Sequence, residues 1–181
     1  MRKLILGMVV ALTLFTMDLV FAAQTADITV TVTVRKLSVS VSSGTFAFGL
    51  VNEGTTTVAG SSIVVTNDGN VTELFQLKLV NPTGWTADQL GTPAADHYKL
   101  GAIFRDTTAP VAGDFTDSQD YISTSYVSPT ATIFAKNGDA DSMKGFNVAA
   151  STTRELWFAF VAPSSTSIST QQSITTTLNA Q

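Results

Sequence analysis

The sequence predicts an all-β chain, an antiparallel β-sandwich folded as one domain behind a cleaved leader. Three observations carry the prediction. Apolar and hydroxyl-bearing residues alternate with period two in several runs, clusters of Asn, Asp, Gly and Pro punctuate those runs, and no stretch after the leader competes as a helix.

The leader comes first. Arg2 and Lys3 precede an apolar run from Leu4 to Met17 that closes on Val20-Phe21-Ala22-Ala23, the pattern of a secretory signal peptide. The run is short for a bilayer span, which takes ~20 apolar residues. Cleavage after Ala22, with Val20 and Ala22 in the small-residue pockets, assigns residues 1–22 to the signal peptide and 23–181 to the folded domain. A retained N-terminal anchor is the alternative, because Asp18 stands unusually close to the cleavage point. Removing the leader takes away Arg2, Lys3 and Asp18 and moves the net charge from −4 to −5. The remaining Lys and Arg residues are scattered, so no basic stripe faces nucleic acid or an anionic membrane surface. No later apolar run is long enough to span a bilayer, so no integral membrane association is expected after cleavage. The expected location is extracellular, at the cell surface or periplasmic. The chain contains no cysteine, so its core must stand without disulfides.

The first mature strand is expected at 28–34, with Ile28, Val30, Val32 and Val34 on one face and Thr29, Thr31 and Thr33 on the other, half-buried. After Arg35-Lys36 the apolar parity shifts to Leu37, Val39 and Val41, which places a bulge or bend there. Further strands are expected at 45–49, 61–66, 72–80, 98–105, 131–135, 154–162 and 172–179. Asn67-Asp68-Gly69-Asn70 carries the turn chemistry of a hairpin, and Asn81-Pro82-Thr83-Gly84 closes the next strand. Residues 106–130, rich in Asp, Ser, Thr, Pro and Gly, read as one long excursion. An outer-membrane barrel needs more ten-residue segments and aromatic girdles than the chain supplies.

The segment Thr45-Phe46-Ala47-Phe48-Gly49-Leu50-Val51-Asn52-Glu53-Gly54-Thr55, followed by Ile63-Val64-Val65-Thr66-Asn67-Asp68-Gly69-Asn70, resembles the opening of immunoglobulin-like sandwich modules of the ASPM/SPD-2/Hydin type and the related choice-of-anchor repeats of bacterial surface proteins. Pro82-Thr83-Gly84-Trp85 and the ending Leu156 to Pro163 are similar to other bacterial sandwich domains. The resemblance, over residues 45–70, implies an Ig-like fold and carries no catalytic centre.

Candidate chemistry is sparse. His97 is the only histidine, and with no cysteine a zinc site would draw its other ligands from carboxylates. No Gly-x-Ser-x-Gly elbow occurs, so the chain is read as no enzyme. Asn137, Asp139 and Asp141 repeat at the alternate spacing with which calcium loops begin, making them the candidate metal ligands. Ser142 and Val148, however, stand where such a loop has Gly and Glu. Asp114, Asp117 and Asp120 are expected in a solvated loop. Trp157 lies in a continuous apolar run and belongs to the core, whereas Trp85 follows a turn and is the candidate carbohydrate-stacking residue. The expected function is that of an exported structural or adhesive surface protein, a fibre, coat or matrix subunit with itself or other surface proteins as partners and no cofactor. The alternative is an extracellular carbohydrate-binding or calcium-dependent binding module.

Overall fold

The computed structural model describes Thr25 and residues 27–181, so the expected leader, residues 1–22, lies outside the described residues. The chain divides into two units, Met1–Thr33 and Val34–Gln181, each described by itself. In the first unit, residues 27–33 are exposed and take part in no strand pairing. This corrects the half-buried strand expected at 28–34, since Ile28, Val30, Val32 and Val34 are 87, 79, 82 and 76% exposed. Their alternation specifies an apolar face, but no strand of the described residues pairs with it.

The second unit is all-β, with strands β1 (Val39–Val41), β2 (Thr56–Val58), β3 (Ile63–Asn67), β4 (Phe75–Val80), β5 (Thr86–Ala87), β6 (His97–Arg105), β7 (Thr153–Val161) and β8 (Thr175–Ala180). One sheet runs β1-β3-β7-β6-β5, with β2 also on β7, and β4 and β8 form a separate antiparallel pair. All pairings are antiparallel except the short β5–β6 contact, in which Thr86 meets His97 and Ala87 meets Tyr98.

Period-two patterning places the core. Ile63 and Val65 of β3 and Phe75, Leu77 and Leu79 of β4 point inward, while Val64, Thr66, Gln76 and Lys78 are only half-buried and Val80 is exposed. They meet Tyr98, Leu100, Ala102 and Phe104 of β6 and Leu156, Phe158 and Phe160 of β7, so both sheets share one core. β6 and β7 are buried on both faces: Ile103, Trp157 and Ala159 form a second cluster with Phe115 and Tyr121, which come from the long excursion. Trp157 is therefore a core residue, and its indole N–H donates to the Asp106 carbonyl at 3.0 Å.

Three further expectations need correction, and each miss has a physical cause. Residues 45–49 form no strand. The Ser43 hydroxyl accepts the Thr45 amide at 3.2 Å and donates back to the Thr45 carbonyl at 2.8 Å, and Gly49 takes a positive φ of 73°, so the backbone bonds to itself instead of to a ladder. The stretch 131–135 makes only an isolated bridge between Phe104 and Ala135, because Phe134 adopts a φ of 53° and the Thr130 hydroxyl takes the amides of Thr132 and Ile133. The Asn67–Asn70 turn is no hairpin, for β3 and β4 belong to different sheets. Asn67 is buried, accepts the Gly69 amide at 2.8 Å and donates to the carbonyls of Val71 and Val148 at 2.8 Å, which carries the chain from one sheet to the other. The excursion after β6 also runs longer than expected, from Asp106 to Thr152, with single 3-10 turns at Ala112–Asp114 and Asp141–Met143.

Candidate functional site

The second unit carries an apolar groove of about 1040 Å³. Ile63, Leu100, Leu156 and Phe158 belong to its lining and come from the large sheet. One wall is the ladder-free segment Ser43–Val51, and the other is the run from Ile168 through β8. Phe46 and Phe48 meet edge to face at 5.0 Å and lean on Phe158 and Phe160 at 6.1 and 5.7 Å. Glu53 is the only charged side chain in the lining, and its carboxylate accepts the Thr166 amide at 2.7 Å. Such a lining offers apolar contact and hydroxyl or amide hydrogen bonds, with no pair of groups poised for proton transfer.

Trp85 belongs to the lining of this groove and is half-buried. The Pro82–Trp85 turn places it there: the Trp85 amide reaches the Pro82 carbonyl at 3.4 Å, and Gly84 takes the positive φ of 87° that the turn requires. A Cβ on Gly84 would run into the Ile168 side chain, so the glycine also lets the far wall close down. The indole stacks on Phe160 at 6.0 Å and donates to the Thr166 hydroxyl at 3.1 Å. Trp85 is thus both a groove-lining ring and a support for the core.

The groove is bordered by an open strand edge. Leu74 and Gln181 exchange both backbone hydrogen bonds at 3.0 Å, and pairing continues through Gln76–Asn179, Lys78–Thr177 and Val80–Thr175. Because bonded and non-bonded pairs alternate in an antiparallel ladder, the N–H and C=O groups of Thr176, Leu178 and Ala180 point away from β4. No other strand of the described residues pairs with β8.

The remaining candidate residues lie elsewhere. Asp139 faces Arg105 at 3.3 Å and Asp141 pairs with Lys144 at 3.0 Å, so their carboxylates are directed at different cations, while Asn137 is exposed. Among the described residues no group of three or more His, Asp or Glu side chains is arranged to hold a metal. His97 is within 2.9 Å of Asp88. The acids of the excursion are not simply solvated. Burial works to raise Asp114, but the Val111 amide, Lys136 and Arg105 outweigh it and hold the carboxyl below its ordinary value. Burial likewise opposes Asp117, which the Lys99 ammonium and the Gly91 amide hold low. Asp120 is 1% exposed, and burial pushes its carboxyl up to about 6 although it accepts the amides of Thr116 and Ala135.

The groove went unrecognised in the sequence because its walls are more than a hundred residues apart. The only local signal was Phe46 and Phe48, alternating between Gly44 and Gly49. Compared with known protein families, curated proteins and solved structures, the chain matches none.

Proposed function

We propose that the chain is an exported structural or adhesive subunit, an Ig-like β-sandwich that acts outside the cytoplasm in a fibre, coat or matrix. The observation that supports this reading is the apolar groove of about 1040 Å³, lined almost wholly by uncharged side chains and bordered by the free edge of β8. Exposed apolar surface beside an unpaired strand edge is the form of an assembly surface. Immunogold electron microscopy of intact cells tests the reading, with label expected on surface fibres or a coat. Label confined to the cell interior, or a protein recovered solely as free monomer that never attaches to cells, refutes it.

A second reading, a carbohydrate-binding module, is favoured by Trp85, whose ring lines the groove next to the Thr166 hydroxyl. A glycan array separates the two. Retention of a glycan by the wild type and its loss in Trp85→Phe would favour binding, while no retained glycan removes this reading.

A further inference from the structure

We infer that residues 28–34 of one copy add as a strand to the free edge of β8 in a second copy, with Ile28, Val30, Val32 and Val34 filling that copy's groove. The inference rests on the structural-subunit reading and names the partner as another molecule of the same chain.

Donor and acceptor are both on the molecule, and among the described residues no strand pairs with 28–34 or with the outer edge of β8. The donor row is 87, 79, 82 and 76% exposed at Ile28, Val30, Val32 and Val34, a rare display for large apolar residues so close together. No charge interrupts it between Asp27 and Arg35, so it can enter an apolar groove without desolvating an ion. The intervening Thr29, Thr31 and Thr33 would face outward and stay hydrated. On the acceptor side, Thr176, Leu178 and Ala180 offer outward-directed backbone donors and acceptors, and Ile174, Leu178, Phe46, Phe48, Leu77 and Phe158 line the groove beside them. A strand laid here gains main-chain hydrogen bonds from the edge and side-chain contacts from the pocket, the mode of recognition called β-augmentation.

The dimensions agree. At about 3.3 Å per residue, 28–34 spans roughly 23 Å and the β8 edge roughly 20 Å. Burying the apolar row removes roughly 60–120 Å² per side chain. With the facing groove and both backbones included, the contact approaches the ~1,000 Å² expected of a specific interface. Each subunit carries one donor and one acceptor, so the contact is heterologous and propagates into a filament unless a ring closes it.

The test uses the full mature chain. Light scattering and sedimentation should show concentration-dependent oligomers for the wild type. The double variant Val30→Asp/Val32→Asp should need at least ~10-fold more protein to assemble, because a charge cannot enter the groove. Its melting temperature should match the monomeric wild type, since both side chains are exposed. The chain has no native cysteine, so Val32→Cys in one preparation mixed with Leu178→Cys or Ile174→Cys in another should give a mixed disulfide dimer. Equal assembly by the Asp variant overturns the strand exchange while leaving the structural-subunit reading intact, for assembly would then use another face. A Val32→Cys/Leu178→Cys chain that closes on itself as a dilute monomer shows self-insertion and also overturns it. A wild type that stays monomeric at every concentration overturns it too, and surface labelling then decides separately whether the structural reading survives.

Discussion

Lowering the pH from 7 to 5 should stabilise this protein, and Asp120 is the cause. Its carboxyl is buried beneath the excursion, where desolvation lifts it from 3.8 to about 6. A group whose folded value is raised binds its proton more tightly in the native state. Its contribution to stability is therefore complete below 3.8 and is lost as the pH rises through 6. The shift corresponds to about 3 kcal/mol over the full titration, of which about 1.3 kcal/mol appears between pH 7 and 5. Asp114 and Asp117 work in the opposite direction, but both are held low and release their stabilisation only as the pH falls below the ordinary carboxylate range. Urea unfolding at half-unit pH steps measures the effect. Asp120→Asn should flatten the rise between pH 7 and 5. It should also lie below the wild type at pH 5, by about 1–3 kcal/mol, because one of its two backbone amide donors loses an acceptor. A wild-type stability that is flat or falling from pH 7 to 5, or an Asn variant with the same slope as the wild type, refutes the assignment.

Three further outcomes are expected in the same denaturation assay. Trp157→Ala should lose about 3–5 kcal/mol, because the ring is 4% exposed, whereas Trp85→Ala, half-buried in the groove lining, should lose less; equal midpoints would show the rings wrongly placed. Gly145→Ala should destabilise by about 1–3 kcal/mol, since its Cβ would lie 2.5 Å from the Phe104 ring, and an unchanged midpoint would mean that ring moves freely. Asn67→Ala should lose about 1–3 kcal/mol by orphaning the Val71 carbonyl and the Gly69 amide and taking one of two donors from the Val148 carbonyl, which keeps the Glu73 amide; the effect is absent if water replaces the side chain.

How much of this was legible depended on whether a residue's role was local. Alternation marks β3 and β4 within a few residues because each buries every second residue against the core, whereas β6 and β7, buried on both faces, show as continuous buried runs. The same alternation at 28–34 does not form a strand in the structure, since a pattern reports an apolar face and never says what covers it. At 45–70 the turn chemistry is real, yet Asn67 steers the chain between sheets where a hairpin was expected, a choice made by its contact with Val148. β2 and β5 escaped notice because each is too short to show a period. The groove and the raised Asp120 were beyond reach for one reason: both are made by distant segments, and no window of sequence contains them.

The composition around the exposed row bears on register as well as on pairing. Slipping the inferred strand by one residue would turn Thr29, Thr31 and Thr33 into the groove and the apolar row outward, losing the contact altogether. Slipping it by two in one direction brings Lys36 to the groove, a charge that cannot be desolvated there, and in the other brings Ala26, too small to fill the place of Val34 or Ile28. In the inferred contact Arg35 and Lys36 would act as a stop, the arrangement by which β proteins keep an aggregation-prone run from pairing indiscriminately. The base of the segment is held to the same end: the Val34 carbonyl accepts the Asn70 side-chain amide at 2.8 Å, and the Asn70 side-chain oxygen accepts the Lys36 amide at 2.8 Å. If the inferred strand addition holds, an apolar row bounded by charge and anchored at its root would favour one register, and a single register distinguishes an ordered fibre from an amorphous aggregate.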